Sequence, residues 1–425
     1  MRVQKMWNSW SKMIFFFLIF HFVSGLLLGV TKHSQILLDA EKNIRIIDWS
    51  LEAGELKDPD HHWRIRKDVL HGGMQEGVDR VRVDNGVLSF TIIPTRGMSI
   101  WEANLGALRL GWDSPVKQVV HPQFVDLGES GGWGWLKGFG AWMNRCGIAF
   151  NGIPGQDQMK VSGGAIIPVD LNLHGRIDYQ PAHFVQVEIS NENPPTLTIR
   201  GVVDETLSMG LNLQLTTEIS TTVGSPEIRL RDTITNLGTI DQEFQTLYHT
   251  NFGAPLLEGG AKLIAAVQRV TPMNLRAAKE IKEWDSFQPP TSDWADKVYF
   301  LKPLGNSQGW TETILVNRSY TKGVSLHFSV KELPYLTLWK NTSALEDGYV
   351  TGIEPGTNYP NNRSFERKKG RVPILVGGES HTSNITFVVH TDIEGVTGAI
   401  DRIKELQGDI SPRIDLKPAP DLSPM

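Results

Sequence analysis

The side chains in this chain best suited to move protons are His174, His249 and Glu354, and each stands where a regular element gives way to a turn. Glu354 lies in the run Tyr349-Val-Thr-Gly-Ile-Glu-Pro-Gly-Thr-Asn-Tyr-Pro-Asn-Asn362, one acid between an apolar segment and a loop of Pro, Gly and Asn. Such punctuation ends an element and exposes what sits at its edge. A carboxylate held there on a rigid scaffold is placed to act as a general base, although a solvated glutamate at a strand end would read the same in isolation. His249, in Leu247-Tyr-His-Thr-Asn-Phe-Gly253, is carried by a strand into a polar turn. Histidine's ordinary pKa lies near neutrality, so it donates a proton without heavy tuning. His174, in Asn172-Leu-His-Gly-Arg-Ile177, is separated by one glycine from Arg176.

Groups that could hold a ligand surround these three. Arg96 closes a strand in Pro94-Thr-Arg-Gly-Met98. The stretch Gly131-Gly-Trp-Gly-Trp-Leu-Lys-Gly-Phe-Gly-Ala-Trp-Met-Asn-Arg-Cys-Gly147 reads as an adaptable loop in which Trp133 and Trp135 offer flat apolar platforms and Asn144 and Arg145 offer donors. Other site types find little support. The chain has neither standard glycine-rich phosphate loop, no His-Glu-x-x-His run and no Gly-x-Ser-x-Gly elbow. The adjacent pair His61-His62 is not spaced for joint ligation, and a single cysteine, Cys146, excludes an internal disulfide and a cysteine-based zinc site. Neither a metal nor an organic cofactor is expected.

The elements that must position these residues read as strands. Val87–Ile93, Phe184–Ile189, Leu197–Val203, Leu211–Leu215, Ile228–Ile234, Glu243–Leu247, Val324–Val330, Tyr335–Trp339 and Ile385–Val389 are short apolar or alternating runs separated by turn residues. Together they predict an all-β fold, a large antiparallel sandwich or barrel with a few short helices. Helix is expected at Leu275–Trp284 and at Val396–Leu406, the latter with Val396, Ile400, Ile403 and Leu406 on one stripe. No linker divides residues 40–407, so one domain spans 31–407, followed by a loosely ordered proline-rich tail over 408–425.

Charge and the N-terminus bound the setting. A net charge of −5 without a dense basic face argues against nucleic acid as a partner. Residues 1–30 place Arg2, Lys5 and Lys12 before an apolar run over 13–30, the pattern of an export signal. That run is also just long enough to serve as an uncleaved membrane anchor. An exported protein is therefore expected, touching a membrane only through residues 13–30; a mis-assigned start would leave it cytoplasmic.

Taken in this order, the motifs resemble those of the galactose mutarotase-like (aldose 1-epimerase) superfamily, and within it a bacterial branch, over about residues 80–400. The resemblance implies a β-supersandwich fold and a small-molecule carbohydrate as partner. It matches Asn144-Arg145 to a pair that contacts sugar hydroxyls and Leu173-His174-Gly175 to a motif whose histidine holds the substrate near its ring oxygen. Tyr248-His249-Thr250-Asn251-Phe252 is similar to the strand end whose histidine is the general acid, with Tyr248 where asparagine is usual. Glu354 matches the general base, and Asn358 belongs to the loop that follows it. The acidic residue with which the family grips hydroxyls has no clear match; Glu258, Asp285 and Asp296 are candidates.

What the resemblance implies is an aldose 1-epimerase-like isomerase that interconverts sugar anomers by acid/base ring opening. Arg96, Arg176 and Lys340 add positive charge that a neutral hexose does not require, which points toward an acidic or modified sugar. Two alternatives stay open: a non-catalytic carbohydrate-binding protein, and a same-fold enzyme carrying out another sugar epimerisation or an elimination.

Overall fold

Period-two alternation is strongest in the middle of the chain, and there it dictates the architecture. In Thr196–Thr206 and Asn212–Thr222 every second side chain is buried, including Leu197, Ile199, Val203, Leu213, Leu215 and Ile219. Apart from Val202 the opposite positions are polar, so each strand presents one apolar face to a partner layer. The computed structural model describes residues 31–424, and these strands belong to a ten-stranded sheet. A thirteen-stranded sheet faces it and supplies Ile65, Val81, Phe90, Ile92 and Ile100 to one continuous core.

Among the described residues all strand pairs but one are antiparallel; the exception joins Val267–Pro272 to Arg413–Ile414. The all-β sandwich expected from the sequence is the fold, and each strand named above falls on or across an observed one. The strands before residue 84 escape the pattern in part because charged residues occupy buried positions, as where Lys67 donates to Asp79. Arg64–Val69 and Asp79–Asp84 pair antiparallel, with Arg80 donating to Asp68 at 2.8 Å across the two strands.

Ile393–Gln407 forms the expected helix, capped by the Asp392 side chain accepting from the Gly395 N–H at 2.7 Å. It buries Val396, Ala399 and Ile403 against the ten-stranded sheet. The helix expected over Leu275–Trp284 breaks into Leu275–Ala278 and a 3-10 turn at Ile281–Glu283. The Ala277 carbonyl accepts instead from Glu280 N–H and from the Tyr299 hydroxyl.

The tail corrects its expectation of loose order. Prolines remove backbone donors, but the tail's acceptors meet two arginines: Arg269 donates to Asp415 at 2.6 Å, and Arg371 to the Asp421 carbonyl at 2.8 Å. Leu422 packs with Phe300 and Tyr359. The export signal or anchor expected over 1–30 lies outside the described residues, among which no helix is long and apolar enough to cross a membrane.

Candidate active site

Four neighbouring strands of the larger sheet build the site: Met143–Ile148, Gln245–Phe252, Val350–Gly356 and Tyr335–Asn341, in the spatial order given. Successive side chains of a strand point to opposite faces, and that alternation sorts the candidate residues. His249 stands opposite Asn144, and Tyr248 opposite Arg145. The register that pairs Leu247 with Gly356 and Thr250 with Ile353 brings Glu354 beside His249. Thr337 is the cross-strand partner of Glu354 on its other side.

His249 Nε2 and Glu354 Oε1 are 3.2 Å apart, with side chains 6% and 2% exposed. Glu354 therefore sits inside the sheet, flanked by strands on both sides, and not at the solvent-facing edge that its turn-rich sequence suggests. Gly352 makes this approach possible, because a Cβ there would lie 2.4 Å from Glu354 Oε1 and 2.9 Å from His249 Cε1.

The tautomer of His249 follows from its other nitrogen. Asn251 Nδ2 donates to the carbonyls of Ala141 and His249 and to Asn144 Oδ1, at 3.0, 3.1 and 3.3 Å. Its Oδ1 must then accept from His249 Nδ1–H, at 2.7 Å. Asn144 is held in turn by Asp178, which accepts from its Nδ2 at 3.0 Å and is itself paired with Arg96. This chain leaves the Nε2 lone pair facing the glutamate.

Burial acts oppositely on the two groups. It lowers the His249 pKa to about 4, against a smaller upward pull from the Asn251 hydrogen bond. It pushes Glu354 well above the usual carboxylate range. Burial thus disfavours the charged form of each group.

Aromatic rings close over the pair. Trp135, Phe139 and Trp339 stand 6.2, 5.2 and 5.5 Å from the His249 ring. His174, half-buried and in the left-handed conformation at φ +58°, comes within 5.3 Å of it. Burial lowers the His174 pKa well below its ordinary value, with a smaller contribution from His249. Glu354 Oε1, His174 Nδ1, Trp135 Nε1 and Thr337 Oγ1 are buried here with no hydrogen-bond partner among the described residues. Buried polar atoms are rarely left unpaired, and one in this glutamate–histidine pair with three around it marks a place made for a polar ligand.

Several expected ligand-holding residues are engaged elsewhere. Arg145 turns inward between the sheets: Asp232 accepts from it at 2.6 and 3.2 Å, Thr217 at 2.8 Å, and the Gly97 and Met98 carbonyls at 3.1 and 2.6 Å. Arg96 gives its donors to Asp178 and to the Val120 and Gly138 carbonyls. Lys340, next to Trp339 and so on the opposite face, donates to the Glu283 and Ser286 carbonyls at 2.9 and 2.5 Å. Asn358 exchanges amide hydrogen bonds with Asn151 at 2.7 and 3.0 Å. Trp133 is 46% exposed and stands outside the aromatic wall. The Arg176 guanidinium rests 5.6 Å from the Phe150 ring.

Of the three acidic candidates, Asp296 touches the wall, accepting from Trp339 Nε1 at 3.1 Å. Glu258 accepts from the Arg318 N–H at 3.1 Å. Residues that sequence reasoning passed over are Asn251, Phe139, Thr337, Trp339 and Asp178. Asn251 had a local signal, two positions from His249 and thus on its face; Thr337 and Asp178 had none.

The family model for a domain of unknown function, DUF4432, matches residues 75–389. Among solved structures, a Klebsiella pneumoniae protein named as a "putative aldose 1-epimerase" is 37% identical and superposes with a TM-score of 0.86, covering 91% of this chain and 98% of that one. A galactose mutarotase-like protein of Clostridium acetobutylicum is similar in fold alone: 15% identity, TM-score 0.52, 77% of this chain and 98% of that one. The same holds for galactose 1-epimerase from Lactobacillus acidophilus, at 11% identity, TM-score 0.51, and 77% and 99% coverage. No curated protein matches the sequence. The chain belongs to the DUF4432 family and has the fold of the galactose mutarotase-like proteins.

Proposed function

We propose that this protein interconverts the anomers of a free aldose by opening and reclosing its hemiacetal ring. The observation that carries the reading is the His249–Glu354 contact with unpartnered polar atoms around it. The two oxygens of a hemiacetal share one carbon and lie closer together than the 3.2 Å between Nε2 and Oε1. One group can therefore face each oxygen.

In the charge-separated form of the pair, Glu354 takes the proton of the anomeric hydroxyl while His249 Nε2–H protonates the ring oxygen. The bond from C1 to the ring oxygen breaks as the C1 carbonyl forms. Rotation about C1–C2 presents the other carbonyl face, and the same transfers in reverse close the ring. His174, neutral because of its burial, adds a hydrogen bond near the ring oxygen, and Trp135, Phe139 and Trp339 cover the apolar face of the sugar. Each acid/base group contributes on the order of 10²–10⁴-fold.

The charge argument for an acidic sugar loses two of its three cations, since Arg96 and Lys340 donate to protein acceptors and only Arg176 is left without one. The reading is therefore a neutral aldose. Exchange NMR between anomers, on neutral hexoses, uronic acids and sulfonated or phosphorylated sugars, tests it. Acceleration confined to the anionic sugars rejects neutrality, and acceleration of none rejects the activity.

Two further outcomes are expected. Turnover needs one proton in the pair, and a second can be added only by charging His249, which burial holds to about 4. The kcat/KM profile should therefore run flat from neutrality down to about pH 5 and fall only below it. An acid limb at histidine's ordinary pKa of about 6.5 would contradict the buried pair. Gly352→Ala, whose Cβ would displace Glu354 from His249, should cut turnover at least about tenfold and lower stability by about 1–3 kcal/mol. Anomer exchange and denaturant midpoints measured on one preparation check both.

A further inference from the structure

A cavity of about 470 Å³ lies apart from the His249–Glu354 pair, beneath the hairpin formed by Gly155–Lys160 and Ile166–Leu171. We propose that it binds a small amphiphilic anion, a molecule with one carboxylate, sulfonate or phosphate group on an apolar body. Its volume falls within the range of sites that enclose small molecules, about 300–1,000 Å³. Phe150, Met159, Ile167, Val169, Leu171 and Leu211 make its walls apolar.

The charge within it is of one predominant sign once internal pairs are set aside. Arg363 and Arg367 line the cavity but are held by Asp157, and Arg367 also by Glu243. What remains is Arg176 and Lys160 against a single exposed acid, Asp241. The Arg176 guanidinium has no hydrogen-bond or ion-pair partner among the described residues, and it lies 5.6 Å from the Phe150 ring. The buried Glu205 acts on Arg176 only through space: its Oε2 accepts from the Ile148 and Ala149 N–H groups, its Oε1 has no hydrogen-bond partner, and burial favours its neutral form. An exposed guanidinium resting against an aromatic ring at the mouth of an apolar cavity is a fork for an anionic head whose tail goes inward.

The position is held by backbone geometry. Gly175, at φ +78°, rests so closely on the Phe150 carbonyl that a Cβ would approach it to 2.1 Å. The turn thereby places His174 beside the His249 ring and Arg176 at the cavity.

The probe is anilinonaphthalene sulfonate, titrated by fluorescence against the full chain, with uncharged phenylnaphthylamine as control. One equivalent of sulfonate should bind. Arg176→Gln should weaken it at least about tenfold and leave the neutral probe unchanged, and Met159→Trp, which fills the cavity, should exclude both. Thermal melts confirm that each variant is folded. Unchanged sulfonate affinity in Arg176→Gln, binding of several equivalents, or normal binding in Met159→Trp overturns the proposal. So does a dimer that binds no probe and is dissociated by Ile167→Asp, which assigns the cavity to a second copy of the chain.

Discussion

Glu354→Gln is expected to lower kcat for anomer exchange by about 10²–10⁴-fold without unfolding the protein. Glutamine keeps the shape of the buried side chain and removes the one property the proposed reaction uses, the ability to take up and release a proton. The fold should tolerate the change, because Glu354 Oε1 has no hydrogen-bond partner to lose and burial disfavours its charge. The melting midpoint of the variant should equal or exceed that of the parent. Exchange NMR on the best sugar, together with a thermal melt, reads both quantities. Undiminished exchange would remove Glu354 from the mechanism, and a collapsed melt would recast it as a structural group.

Asp232→Ala is expected to have the largest effect on stability, a loss of about 3–5 kcal/mol, and for a reason unrelated to sugar. Asp232 belongs to the ten-stranded sheet and Arg145 to the other, so their ion pair ties the two layers inside the core. Removing the carboxylate leaves a guanidinium in a place from which water is excluded. Replacing both partners, as Arg145→Met with Asp232→Leu, should return much of the loss, since an apolar pair of similar volume carries no desolvation penalty. Urea unfolding of the single and double variants measures this. A stable Asp232→Ala with weakened sugar binding would instead restore Arg145 to the ligand-holding role that its motif suggests.

The contrast between these two predictions shows how far local sequence reaches. Asn144 and Arg145 are neighbours in one motif and read alike as hydroxyl donors. The strand carrying them sends Asn144 toward His249 and Arg145 into the core, where Asp232 and Thr217 of the opposite sheet meet it. A period of two separates their roles, and only the partner sheet says which face is which. Lys340 and Trp339 repeat the lesson: the lysine looked like a ligand-holding cation, yet the tryptophan faces the site.

The resemblance of short motifs supplied the family and the pairing of His249 with Glu354, while the sequence by itself determined the all-β class and the positions of most strands after residue 84. Alternating apolar positions and turn residues encode these locally, within a few residues of one another. Only the tertiary structure decided that Glu354 is enclosed by strands, that Arg96, Arg145 and Lys340 are engaged within the protein, and that the tail is pinned by Arg269 and Arg371. Those outcomes depend on which acceptors strands distant in sequence bring within reach. A buried cation pairs with the nearest available oxygen, and no local pattern of residues states where that oxygen lies.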